Sequence, residues 1–163
     1  MDTSKWPKRY NWMIRDLTRA READANYLVG LGLFCYTEIV GRDILKYRNP
    51  HKAYFKNKDC FDLFLSEYMG YKKLLEENGN NLYDCFRNGF CHNYSIKGEK
   101  TGVYDYYEQN SLKAIEELGV DITKGIAIPK NNKKIRFLVV KPYLEDFIKG
   151  VEKFLKESKQ IEN

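Results

Sequence analysis

The sequence is poor in the residues that build stapled or metal-centred folds. Its 163 residues include only four cysteines, two histidines and four prolines. Cys35, Cys60, Cys85 and Cys91 form no CxxC pair, and neither histidine stands at zinc-finger spacing from them, which argues against a structural zinc site. Reduced thiols acting as small hydrophobes are the expectation. Long apolar runs are also missing. The longest, Leu28 to Tyr36, spans nine residues and contains two glycines, far short of the ~20 residues of a bilayer span. The start, MDTSKWPKRYNW, lacks the apolar stretch of a secretory signal. A soluble, cytoplasmic protein with no membrane partner is therefore expected. There is no Walker A loop, no GxGxxG before a helix, no paired-histidine metal signature and no hydrolase serine pattern. No cofactor is expected.

Aromatic and charged residues are plentiful. Thirteen Tyr and nine Phe supply enough ring area to fill much of a core. At 43% hydrophobic and 31% charged, the chain is not a disordered or low-complexity segment. The net charge of +5 is unevenly placed. Residues 46–58 carry Lys46, Arg48, Lys52, Lys56 and Lys58 and no acid; residues 124–141 carry six further cations and no acid. The rest of the chain therefore sums to −6. Such segments on an acidic body suit a polyanion partner. In the first, the cations alternate with Tyr47, Tyr54 and Phe55, a mixture that serves phosphate contact and base stacking together. Arg48, Lys52, Tyr54, Lys56 and Lys58 are the candidate RNA-binding residues. The second segment reads as lysines that solubilise a loop.

Hydrophobic spacing predicts a mainly α fold, with residues 1–163 as a single domain. A helix from about Ser4 to Ala23 shows Tyr10, Met13, Ile14 and Leu17 on one stripe, with Ser4 as its cap. A second, apolar nearly all round, runs to about Leu45 and is expected to be central or to lie in a subunit interface. After a loop at Tyr47–Lys58, a third helix capped by Asp59 extends to about Glu77. Phe61, Phe64, Leu65, Tyr68, Lys72 and Leu75 form its inner face. A turn at Asn78–Asn81 leads to a fourth helix, from Leu82 to His92 or just beyond, with Leu82, Cys85, Phe86, Gly89 and Phe90 on the apolar side. Lys97–Gly102 reads as a polar connection. A fifth helix at about Asp105–Leu118 ends at Gly119. Gly125–Pro129 and Ile135–Val140 then read as a small β-hairpin, and Pro142 opens a last amphipathic helix. The helical core covers residues 4–118, and residues 119–163 form a hairpin-plus-helix extension.

One segment carries chemistry. In LYDCFRNGFCHNY, from Leu82 to Tyr94, Arg87 and Asn88 are followed after three residues by His92. Arginine is a permanent cation, and histidine titrates near neutral pH. In RNA cleavage an imidazole can move the proton of a 2′-hydroxyl while a guanidinium stabilises the charge on phosphorus, with no metal required. On an ideal helix the two residues are ~140° apart with ~7.5 Å of rise. Convergence therefore needs a bend near Gly89 or a second copy facing the first. A helix-terminal histidine that contacts the last carbonyls is the structural alternative.

The Arg87-Asn88-x-x-x-His92 motif at the end of a helix, within a helical core, resembles that of the HEPN superfamily. The resemblance covers residues 4–118 as architecture and 87–94 as motif. It implies a bundle of four or five helices and a metal-independent endoribonuclease, of toxin or defence type. Arg87 and His92 would be its catalytic pair, and Asn88 would orient the site or bind phosphate. The products would be a 2′,3′-cyclic phosphate and a 5′-hydroxyl. The resemblance further implies RNA as partner, a homodimer, and an antitoxin or nucleotidyltransferase that regulates through Tyr94, which otherwise is an aromatic packed beside the motif. A polar residue from an earlier helix often points at the family motif. Glu38 is the candidate for that place, an acid in an apolar stretch that needs a partner: Arg87 or His92, or else a structural arginine such as Arg42 one turn on, or solvent. Arg42 and Asp43 are weaker candidates on the same helix. Two other classes remain open. One is a non-catalytic RNA- or nucleotide-binding module of the same fold; the other is a helical protein-interaction subunit.

Overall fold

The computed structural model describes residues 5–77, 81–89, 100–104, 117, 119–129 and 135–160. The fold is mainly helical, with a small antiparallel hairpin before the C-terminal helix. Helix α1 spans Lys8–Glu22 and starts after Pro7, whose backbone is extended, rather than near Ser4. Tyr10, Met13 and Leu17 are buried, and Ile14 packs partly against the same core. Asp24 takes a left-handed conformation (φ 53°) that turns the chain into α2, Asn26–Arg48.

Helix α2 is the central element. It packs against α1, against α3 (Asn57–Leu63) and against α5 (Val140–Glu157). Val29, Leu33, Phe34, Val40 and Ile44 are all fully buried within the one chain, which accounts for a helix apolar on several sides. Gly41 permits the tightest of these approaches. A Cβ there would stand 1.8 Å from the carbonyl oxygen of Cys60, so α2 and α3 touch backbone to backbone.

The third predicted helix is broken. Helix α3 begins at Asn57 with Lys56 in the cap position, and Asp59 lies in its first turn instead of capping it. An acid there still favours the helix electrostatically. The helix widens into a π-helical segment, Phe64–Tyr68, and stops at Gly70, which adopts φ 81°. The short α4, Lys72–Glu77, follows. The widened turn and the break shift the helical register. Tyr71 and Leu75 therefore face inward, and Lys72, expected on the inner face, is exposed.

Strand β1 (Lys100–Tyr104) lies where a polar connection was expected. It pairs in parallel with β3 (Ile135–Val139), and β2 (Ile126–Ala127) pairs antiparallel with β3 on the other side, giving the order β1-β3-β2. The turn expected at Lys130–Lys133, most of the turn at Asn78–Asn81 and nearly all of the helix expected at Asp105–Leu118 lie outside the described residues. Gly119, expected to end that helix, has a left-handed φ of 67°.

Helix α5 starts at Val140, so Pro142 lies inside the first turn, where its missing N–H costs little. Tyr143, Phe147, Val151, Phe154 and Leu155 enter the same hydrophobic core as α1–α4. Edge contacts of Phe147 with Phe64, and of Phe154 with Tyr10 and Tyr68, fix its position. Cys35, Cys60 and Cys85 are thiols, the last two buried. Among the described residues, no helix is long and apolar enough to cross a membrane.

Candidate functional site

The motif segment is anchored by aromatic packing. Phe86 stacks on Phe34 of α2 (centroids 4.9 Å apart), and Tyr83 meets Phe61 of α3 edge-on at 5.5 Å. Leu82, Cys85 and Gly89 are buried with them, as expected for this face. The backbone from Tyr83 to Asn88 is π-helical. Such i→i+5 turns are uncommon and recur at functional sites. The wider turn alters the ideal helical angles around Arg87.

Phe34, Glu38 and Arg42 lie four residues apart and so share one face of α2. The stack at Phe34 therefore places Arg87 beside Glu38. Arg87 Nε lies 2.8 Å from Glu38 Oε2. Neither atom gains a well-aligned hydrogen bond, so the contact is a charge pair. Arg42 Nη2 donates to the other oxygen, Glu38 Oε1, at 3.0 Å. The same Nη2 donates to Asn57 Oδ1 at 2.6 Å. Glu38, only 6% exposed, thus holds two guanidiniums, and the trio carries a net charge of +1. The guanidinium side chains keep 28% and 21% of their surface in contact with solvent. Both partners foreseen for Glu38 on the arginine side are engaged at once.

Two neighbours complete the cluster. Burial raises the Tyr83 phenol above its ordinary value, and Glu38 adds to this; Arg87 and a hydrogen bond from Asn57 act the other way. Burial likewise raises the Cys60 thiol, against the nearby Arg42, so Cys60 stays protonated and is a poor nucleophile. Asn57 and Tyr83 were missed in the sequence. Neither has a spacing that sets it apart; only the fold brings the start of α3 and the motif turn to Glu38. Among the described residues, no group of three or more His, Cys, Asp or Glu side chains is gathered to hold a metal.

The other expected site residues are placed as follows. Asn88 is turned to its own segment, donating from Nδ2 to Asp84 Oδ1 at 3.0 Å. His92 and Tyr94 lie outside the described residues. Arg48 clamps three elements together: it pairs with Glu67 at 2.9 Å and Glu157 at 3.7 Å and donates to the Tyr68 hydroxyl at 3.1 Å. The hydrogen bond with Glu67 raises its already high pKa. Lys58 pairs with Asp62 at 2.5 Å. The Asp62 carboxyl is pushed up by burial against the pull of Lys58, and Asp84 of the motif turn contributes to the rise. Lys52 sits over the Phe55 ring at 5.0 Å, Lys56 is exposed, and Tyr54 is 66% exposed. This loop leads directly into Asn57, which meets Arg42 of the Glu38 cluster.

Family models, curated proteins and solved structures were compared with this chain, and none matches.

Proposed function

We propose that the protein is a metal-independent endoribonuclease of HEPN type, acting on RNA as a toxin or defence enzyme in the cytoplasm. The observation that supports this most is the placement of Arg87: a motif arginine on a π-helical turn, held by a buried carboxylate and still partly open to solvent. Arg87 stabilises the charge that builds on the phosphate. His92 takes the proton from the attacking 2′-hydroxyl or gives one to the leaving 5′-oxygen, water completing the other transfer. Attack of the 2′-oxygen on the adjacent phosphorus breaks the bond to the 5′-oxygen and leaves a 2′,3′-cyclic phosphate. Glu38 positions Arg87; Arg42 fixes Glu38, and Asn57 in turn holds Arg42. RNA approaches along Lys52, Tyr54 and Lys56. In a homodimer the motif segments of two copies share one cleft, and Tyr94 is the place for a regulatory partner.

One observation favours a second reading, a non-catalytic RNA- or nucleotide-binding module: the carboxylate of Glu38 partly neutralises the motif arginine. The two separate in one experiment. The protein and its His92→Ala variant are incubated with a mixed RNA pool in EDTA, and product ends are analysed. Cyclic phosphate ends made by the unmutated protein alone support the nuclease. Undiminished cleavage by His92→Ala rejects the assignment of His92. Salt-dependent binding without cleavage by either favours the binding module.

A further inference from the structure

We propose that the outward face of α1 is a docking surface for single-stranded RNA, separate from the 49–56 loop. Lys8, Trp12, Arg15 and Arg19 follow one another at spacings of four, three and four. On a helix this gathers them within an arc of ~60°. The arc lies opposite the buried Tyr10, Met13 and Leu17, so the stripe points straight away from the core. All four residues are exposed, and Trp12 keeps 55% of its surface in solvent. Lys8 and Arg19 make no ion pair among the described residues, and Arg15 has only a loose contact with Asp16 at 3.9 Å. Glu22 is the acid at the far end of the same face.

Trp12 places a large aromatic ring, largely open to solvent, among the cations of this face. A ring flanked on both sides by cations is the arrangement that single-stranded nucleic acid rewards: bases stack on the ring and phosphates meet the charges. Charge complementarity selects a polyanion over a second copy of this chain, whose same face is equally positive. RNA as that polyanion rests on the proposed function; the stripe itself does not.

The test uses a 2′-O-methyl oligoribonucleotide, which has no 2′-hydroxyl to attack and so reports binding without cleavage. The chain has two tryptophans, and Trp6 is buried at 6% exposure, so fluorescence changes on titration report mainly Trp12. Expected are quenching of that signal in the unmutated protein and, by fluorescence anisotropy of an end-labelled oligonucleotide for the variants, roughly tenfold weaker binding in Trp12→Ala and a log-affinity against log-salt slope shallower by ~1.4 in R15E/R19E. Because all these side chains are exposed, thermal unfolding of the variants serves as the folding control. Unchanged affinity and salt slope in R15E/R19E would overturn the proposal. So would a Trp12→Ala variant that alters self-association, or binding to anionic lipid vesicles, while RNA affinity stays constant. Cleavage of ordinary RNA is measured separately. A protein that cuts RNA with stripe variants that bind normally defeats the docking surface alone; one that binds through the stripe and never cuts defeats the nuclease alone.

Discussion

At the scale of single residues, Glu38 decides the electrostatics of the candidate site. Its two oxygens engage Arg87 and Arg42 separately, so Glu38→Gln leaves two guanidiniums side by side without a counter-charge. Breaking a fully buried pair costs about 3–5 kcal/mol. Because both arginines keep some contact with water, a loss nearer ~2 kcal/mol is expected, read as a lower urea midpoint at constant m-value. Unaltered stability would show that the trio contributes nothing to folding. Gly41 offers a sharper test of packing. Gly41→Ala puts a methyl group into the Cys60 carbonyl, and both walls are backbone. Overpacking of this kind costs about 1–3 kcal/mol or more, whereas Gly70→Ala meets open space and loses about 1–2 kcal/mol through its left-handed φ alone. Thermal unfolding of the two variants compares steric clash with backbone strain.

At the scale of elements, α5 belongs to the core. Phe147→Ala is expected to cost about 3–5 kcal/mol, measured by chemical denaturation, because its fully buried ring wedges against Phe64. The apolar stripe of α5 was plain in the sequence, since Leu144, Phe147, Ile148, Val151 and Leu155 recur at helical spacing; four are buried and Ile148 packs partly against the same core. The hairpin was legible for a related reason: β-branched runs flank a strong turn signal. Strand β1 was not, because Lys100 pairs with Ile135, a parallel partner 35 positions away that leaves no local pattern. The π-helical widening at Phe64–Tyr68 was hidden too. Hydrophobic spacing at 3.6 residues per turn fits Phe61 to Tyr68, then assigns Lys72 to the inside when Tyr71 is the residue that enters. For the candidate site, Arg87 and Glu38 were readable, one from its motif and one as an acid among apolar neighbours. Asn57 and Tyr83 were not, since their roles arise only where three elements meet.

At the scale of the whole molecule, the buried tyrosines make stability depend on alkaline pH. Burial raises the phenols of Tyr10, Tyr68, Tyr71 and Tyr143 well above the ordinary value. In the unfolded chain they ionise near pH 10. A group whose pKa is higher in the fold contributes stability that is intact below its unfolded value and is lost as pH rises beyond it. Denaturation midpoints should therefore hold up to about pH 10 and fall steeply above it, and a flat profile there would contradict the burial of these hydroxyls. Function belongs to the same scale, because the proposed chemistry joins a motif arginine, an α2 carboxylate and RNA held on a basic surface. The most direct measurement is the cleavage rate of one defined RNA in EDTA by the unmutated protein and by Arg87→Ala, with product ends identified. Expected are 2′,3′-cyclic phosphate products and a rate lower by about 10²–10³ in the variant, the scale for losing one charge stabiliser at the transition state. Equal rates for the two proteins, or products without the cyclic phosphate, would contradict the assignment of Arg87 and the transesterification it serves.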